Sequence, residues 1–141
     1  MARTIDRFVC GYAVATVDEG LKLRRHGIEK EILCLGPVSA GRYQECLEND
    51  ISLPMFEYRR AKELSDAAVA EGKTAKIHIA VDTGMSRIGL FPDEGSVEIV
   101  KEIAKLPALR IAGMFTHFAR ADEADKTKAG EQYRRFHAFC D

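Results

Sequence analysis

The feature that most constrains this chain is a regular alternation of short apolar runs with longer amphipathic stretches, sustained almost from one end to the other. GYAVAT (11–16), EILCLG (31–36), LPMFEY (53–58), KIHIAV (76–81) and IAGMFTHF (111–118) read as strands bounded by turn residues. The third is weakened by Pro54 near its start. In the fourth, Ile77, Ile79 and Val81 face one way and His78 and Ala80 the other. The stretches between read as helices. One covers 17–27, with Leu21 and Leu23 among its charges and Gly27 as its stop. A second runs over 39–48 from a capping Ser39, with Tyr43, Cys46 and Leu47 on one face. A third spans 60–71 and carries Leu64, Ala67, Ala68 and Val69. A fourth is opened at 92 by Pro92, Asp93 and Glu94 and runs to 105. The last covers 125–140, with Tyr133, Phe136 and Phe139 on one side.

Strict βα alternation dictates a parallel sheet with helical crossovers, because parallel neighbours cannot be joined by a hairpin. Five units in 141 residues average about 28 residues each. A doubly wound open sheet and a (β/α)8 barrel both satisfy the pattern. A complete barrel takes about 250 residues, so five units would form an unclosed arc with two edge strands and an exposed inner face. The final helix reaches Asp141 with no glycine, proline or cap, which reads as a chain cut short.

Composition narrows the function. A formal net charge of −1 with interleaved signs leaves no basic stripe for nucleic acid. No run approaches the roughly 20 apolar residues that span a bilayer, and MARTIDRFVCGYA is not a secretory signal, which points to the cytoplasm. Cys10, Cys34, Cys46 and Cys140 lack zinc-ligand spacing, so they are expected to be free, buried thiols with no metal.

In parallel α/β folds, ligands gather beyond the carboxyl ends of the strands. Two such segments stand out. AVDTGMSRIGL (80–90) sets Gly84 and Gly89 around Asp82, Thr83, Ser86 and Arg87, whose guanidinium is a rigid fork of donors. Taken alone it reads more readily as a polar loop with one surface arginine. FTHFARADE (115–123) places His117 at a strand end, on the face of Phe115 and Gly113, where taken alone it reads more readily as a structural histidine than as an acid, base, ligand or stacking partner. Asp122 and Glu123 suit the acidic start of the final helix. Together, a planar cation and an imidazole at one mouth suit a flat, anionic, conjugated ligand.

IHIAVDTGMSRIGL followed by IAGMFTHFARADE resembles the matching stretch of alanine racemases, and GYAVATVDEGLKLRRHGI with EILCLGP resembles the strands upstream of it. That resemblance implies an α/β fold. The chain would be a partial (β/α)8 TIM barrel, supplying the second to sixth strands of an N-terminal domain (1–141) that binds pyridoxal 5′-phosphate (PLP), its sheet not closed by this chain alone. It further implies that Arg87 hydrogen-bonds the phenolic oxygen of PLP, that His117 packs against its ring, and that Asp122 lies in the substrate entryway near a partner subunit. Many such enzymes carry a carbamylated lysine two residues before the Asp of DTGM. Here that position is Ala80, and His78 on the same face is the candidate to support Arg87 instead.

Catalysis in the family takes a lysine that binds PLP as a Schiff base, from a KANAYGHG-like motif, and a tyrosine from a C-terminal domain. No lysine here matches the first, and Tyr12, Tyr43, Tyr58 and Tyr133 do not match the second. The expectation is therefore a fragment of a homo-oligomeric alanine racemase, an isomerase supplying D-alanine for the cell wall, with no catalytic residue of its own and no activity alone. The alternatives are a non-catalytic ligand-binding or self-associating βα module derived from such an enzyme, and a serine racemase fragment or PLP-homeostasis relative.

Overall fold

The computed structural model describes residues 2–141. A short helix α1 (Ala2–Ile5) and a 3-10 turn (Asp6–Phe8) lead into β1 (Gly11–Val14). There follow α2 (Val17–Arg25), β2 (Glu31–Cys34), a 3-10 turn (Ala40–Arg42), α3 (Tyr43–Glu48), β3 (Ile51–Met55) and α4 (Tyr58–Ala70). The chain continues through β4 (Ala75–Val81), α5 (Glu94–Ala104), β5 (Leu109–Thr116) and α6 (Thr127–Cys140). All four strand pairings are parallel, and spatial order equals chain order, β1-β2-β3-β4-β5. This decides between the two architectures. A doubly wound sheet must reverse its strand order at a switch point; here the order never reverses. Right-handed crossovers along a monotonic order put every helix on the same face, so the sheet is an open barrel arc.

The two faces of the arc differ as that geometry requires. Ile32, Cys34, Leu53, Met55, Ile77, Ile79 and Val81 point toward the helices and are buried against Val17, Leu21, Ala61, Leu64, Ala68 and Ile103. Burial of each large aliphatic side chain contributes about 1.5–3 kcal/mol. On the inner face Ala13 is exposed and Leu33 and Phe115 are only partly covered. The pairing of β4 with β5 slips between Ile77 and His78, where Ala112 is the extra residue, a bulge that adds bend and twist to the arc.

Local signals explain most element ends. Thr16 and Glu19 form a reciprocal capping box at α2, the Thr16 hydroxyl accepting from the Glu19 amide at 3.3 Å and the Glu19 carboxylate accepting from the Thr16 amide at 3.3 Å. Gly27, with φ of +79°, ends that helix as expected. Asp93 caps α5 through the Ser96 amide at 2.8 Å.

Several expectations are corrected. The third strand begins at Ile51 and ends at Met55, and α4 starts at Tyr58 inside the run expected to be extended. Ser52 lies outside the expected 53–58 run, yet it belongs to β3 and is buried, its hydroxyl donating to Glu31 at 3.1 Å. Ser39 caps a 3-10 turn through its backbone carbonyl only. Asp122 and Glu123 fall in the turn before α6, with Glu123 paired to Arg120 at 3.4 Å, so neither lies in the first turn of the helix. Tyr133 is exposed, because Gln132, Phe136 and Phe139, at i, i+4 and i+7, define the inward stripe of α6 and Tyr133 falls on its flank. Only two thiols are buried. Cys34 and Cys46 lie in the core, where burial pushes Cys46 up to about 12, whereas Cys10 and Cys140 are exposed; all four are free.

Candidate functional site

The segment after β4 closes on itself. The Asp82 amide donates to the Leu90 carbonyl at 2.8 Å and the Leu90 amide to the Ala80 carbonyl at 2.9 Å, so the loop 82–90 leaves and rejoins the sheet at one point. Gly89 makes this possible. Its φ is +123°, and a Cβ there would lie 2.6 Å from the Asp82 nitrogen. Inside the lobe one carboxylate oxygen of Asp82 accepts from the amides of Gly84 at 3.0 Å and Ser86 at 2.9 Å. Arg87 projects beyond this core, exposed, with its guanidinium engaged by no hydrogen bond among the described residues.

Arg87 and His117 come together as expected. Both line a cavity of about 250 Å³ beyond the carboxyl ends of the strands. Its other walls include Ala13, Leu33, Leu35, Ala80 and Phe115 from the inner face and Met85 and Ile88 from the lobe. The cavity thus has an apolar floor with one permanent cation and one imidazole at its rim, and it contains neither lysine nor tyrosine. Asp122 is exposed in the turn 121–122 and does not line it. A larger cavity of about 980 Å³ opens on the helical side, between Phe91, Pro92 and Val97 and the end of α6. It contains neither Arg87 nor His117.

His78 does not support Arg87. Its Nε2 is 3.1 Å from Glu31, and no hydrogen bond joins it to Arg87. The ring packs over Gly113, where a Cβ would come within 3.0 Å of Nδ1. Glu31, Ser52 and His78 make a polar layer across three strands of the inner face. The His78 hydrogen bond holds the Glu31 carboxyl below its usual range, helped by the Ser52 hydroxyl and by the charges of His78 and Lys76, against a smaller desolvation effect.

Sequence reasoning missed the residue that ties the two loops together. Gln132 of α6 is only 4 % exposed, and its amide serves both segments. Nε2 donates to the Thr83 hydroxyl at 3.1 Å and to the His117 carbonyl at 3.2 Å, while Oε1 accepts from the Ala119 amide at 3.0 Å. The orientation is forced, since a carbonyl only accepts and an amide N–H only donates. Thr83, 1 % exposed, reaches the Thr116 hydroxyl at 2.8 Å, and Arg135 donates to the Thr83 carbonyl at 3.0 Å. The available signal was a glutamine standing in register with Phe136 and Phe139.

Comparison with known proteins decides the family. Residues 1–141 match the family described as alanine racemase, N-terminal domain. The chain belongs to that family. The alanine racemase of Clostridium novyi (strain NT) is 47 % identical over 135 residues, which cover 96 % of this chain and 35 % of that protein. A solved structure of Clostridium difficile 630 alanine racemase in complex with cycloserine superposes with a TM-score of 0.95 at 34 % identity, covering 99 % of this chain and 38 % of the other. A histidine racemase from Leuconostoc mesenteroides subsp. sake gives a TM-score of 0.87 at 28 % identity over 95 % of this chain and 36 % of its own. The chain therefore spans about a third of the length of the alanine racemases it matches, and its solved relatives identify the arc as part of a TIM barrel.

Proposed function

We propose that this chain forms one wall of the cofactor site of a PLP-dependent racemase acting on alanine, and that it does not turn over substrate alone. The observation that carries the reading is the placing of an unengaged Arg87 and an exposed His117 at the rim of a single apolar-floored cavity. The donor set fits PLP: a guanidinium for a ring oxygen, an imidazole to lie beside a flat ring, and an apolar floor of Ala80, Leu33 and Phe115 against which the ring can lie. When bound, PLP supplies an electron sink for the charge left on an amino acid's α-carbon once its proton is removed.

The chain's own residues bind and orient. Arg87 would donate to the ring oxygen and favour its unprotonated form. His117 would restrict the ring's tilt by packing against it. Asp122, outside the cavity in an exposed turn, would act on the approach of substrate rather than on the cofactor. Neither a lysine to attach PLP nor a tyrosine to move the α-proton lines the cavity, and this is the basis for inactivity. In the whole enzyme we place the reaction in the cytoplasm of a homo-oligomer, furnishing D-alanine for the cell wall. The likeness to a histidine racemase shows that this architecture also serves another amino acid.

The test is a titration of the chain with PLP, followed by absorbance and by chemical shifts. Arg87→Ala removes a charge-assisted hydrogen bond of about 1.5–3 kcal/mol and weakens binding about 10- to 100-fold. His117→Ala removes ring packing of about 0.5–1.5 kcal/mol and has the smaller effect. Equal affinity in wild type and Arg87→Ala would sink the cofactor assignment. Racemisation of L-alanine by the chain with added PLP, abolished in Arg87→Ala, would overturn the claim that it is inert.

A further inference from the structure

We propose that Gln132 is a positioning residue that locks the Arg87 lobe and the His117 segment into one register, so that their two side chains face the same cavity. The proposal deepens the cofactor reading above and rests on it for its functional meaning.

Three observations converge on this residue. First, each loop is fixed chiefly at its own root: the lobe 82–90 is closed by its own Asp82 and Gly89 contacts, and the segment after β5 leaves the sheet at Thr116. Between the loops, the Thr83–Thr116 hydroxyl bond is a direct link at the strand ends, and the Gln132 amide bridges Thr83 to His117 and Ala119 just beyond it. Second, the bridge bonds the main chain of His117 itself and a side chain four residues before Arg87. A shift of the amide therefore moves both cofactor groups relative to each other. Third, both amide N–H groups donate and the carbonyl accepts, a set that fits only one orientation of the amide, and Gln132 is buried.

Helix α6 thus does more than cover the sheet. Phe136 and Phe139 dock it on the core, and with that anchoring Gln132 transmits the position of the helix to the mouth of the arc. Thr83 accepts from Gln132 and shares a hydroxyl–hydroxyl bond with Thr116, so one connected network joins α6, the lobe and β5.

The experiment compares wild type, Gln132→Met and Thr83→Val in amide hydrogen exchange, in the imidazole signals of His117, and in chemical-shift titration with PLP. Gln132→Met should raise exchange at Gly84, Ser86 and Ala119 about tenfold or more while the amides of β2 and β3 keep their protection. It should also broaden the His117 signals and weaken the PLP response at Arg87 and His117 together. Should Gln132→Met fail to fold, Thr83→Val, which removes one of the two loop anchors, should show the same pattern more weakly. If both variants keep wild-type exchange in the loops, or lose protection along α6 rather than in the loops, the residue merely docks the helix and the proposal falls. If the loops loosen as expected but wild type shows no response to PLP, the bridge stands and the cofactor reading falls instead.

Discussion

The polar layer on the inner face shows what single residues decide in this chain. Glu31, Ser52 and His78 come from three different strands and meet on the inner face, with Lys76 near enough to act on Glu31. Because Glu31 is held below its usual range, chiefly by His78, its ionised form favours the folded state. The sign follows from linkage. The contribution is present above the ordinary Glu value, about 4.3, and is lost as the pH falls through the lower folded value. Solvent screening keeps it small, since the Glu31 side chain is 45 % exposed. Urea midpoints measured from neutral to acid pH should fall more steeply in wild type than in Glu31→Gln; superimposable acid limbs would refute the assignment. That Arg87 and His117 would lie beyond strand ends, at one mouth, was legible in the sequence because each follows an apolar run. Gln132 and Ser52 were not, because a polar residue in an apolar register looks like an error until its partners, 49 and 21 residues away, are in place.

At the scale of elements, period and punctuation carried most of the information. The strands at 11, 31, 76 and 111 fall close to where alternation puts them, and Gly27 and Asp93 bound their helices as their chemistry requires. The third strand was displaced because Asp50 takes a left-handed turn, with φ of +49°, directly before Ile51. Pairing with β2 and β4 then outweighs the weak strand propensity of Ser52 and Pro54. The lobe 82–90 depends on one backbone position. Gly89→Ala would force both a positive φ and a contact with the Asp82 nitrogen, at a cost of about 1–3 kcal/mol. The expected result is a lower thermal midpoint and loss of the Leu90 pairing, seen as fast exchange at the Asp82 and Leu90 amides. An unchanged midpoint would mean that the lobe is not closed as described.

For the whole molecule, monotonic strand order is the property that no local pattern contains. Five βα units are equally compatible with a sheet wound in both directions; only the long-range pairings exclude it. The same arrangement leaves β1 and β5 each with one unpaired side, and the inner face with Ala13 exposed and Phe115 half covered. Such edges and faces associate. Light scattering should therefore report a mass above that of one chain, rising with concentration, and a monodisperse monomer at all concentrations would contradict this.

The hydrogen bonds from Ser52 and His78 to Glu31 have a mechanical consequence. They run across the hollow side of the sheet rather than along its ladders, and so act as struts that set how tightly β2, β3 and β4 curl. Curvature is thereby written into the middle of the arc instead of being imposed by closing a ring. Any strand that adds beside β1 or β5 meets an edge already bent to receive it, and the rim bearing Arg87 and His117 has its shape before the circle is complete.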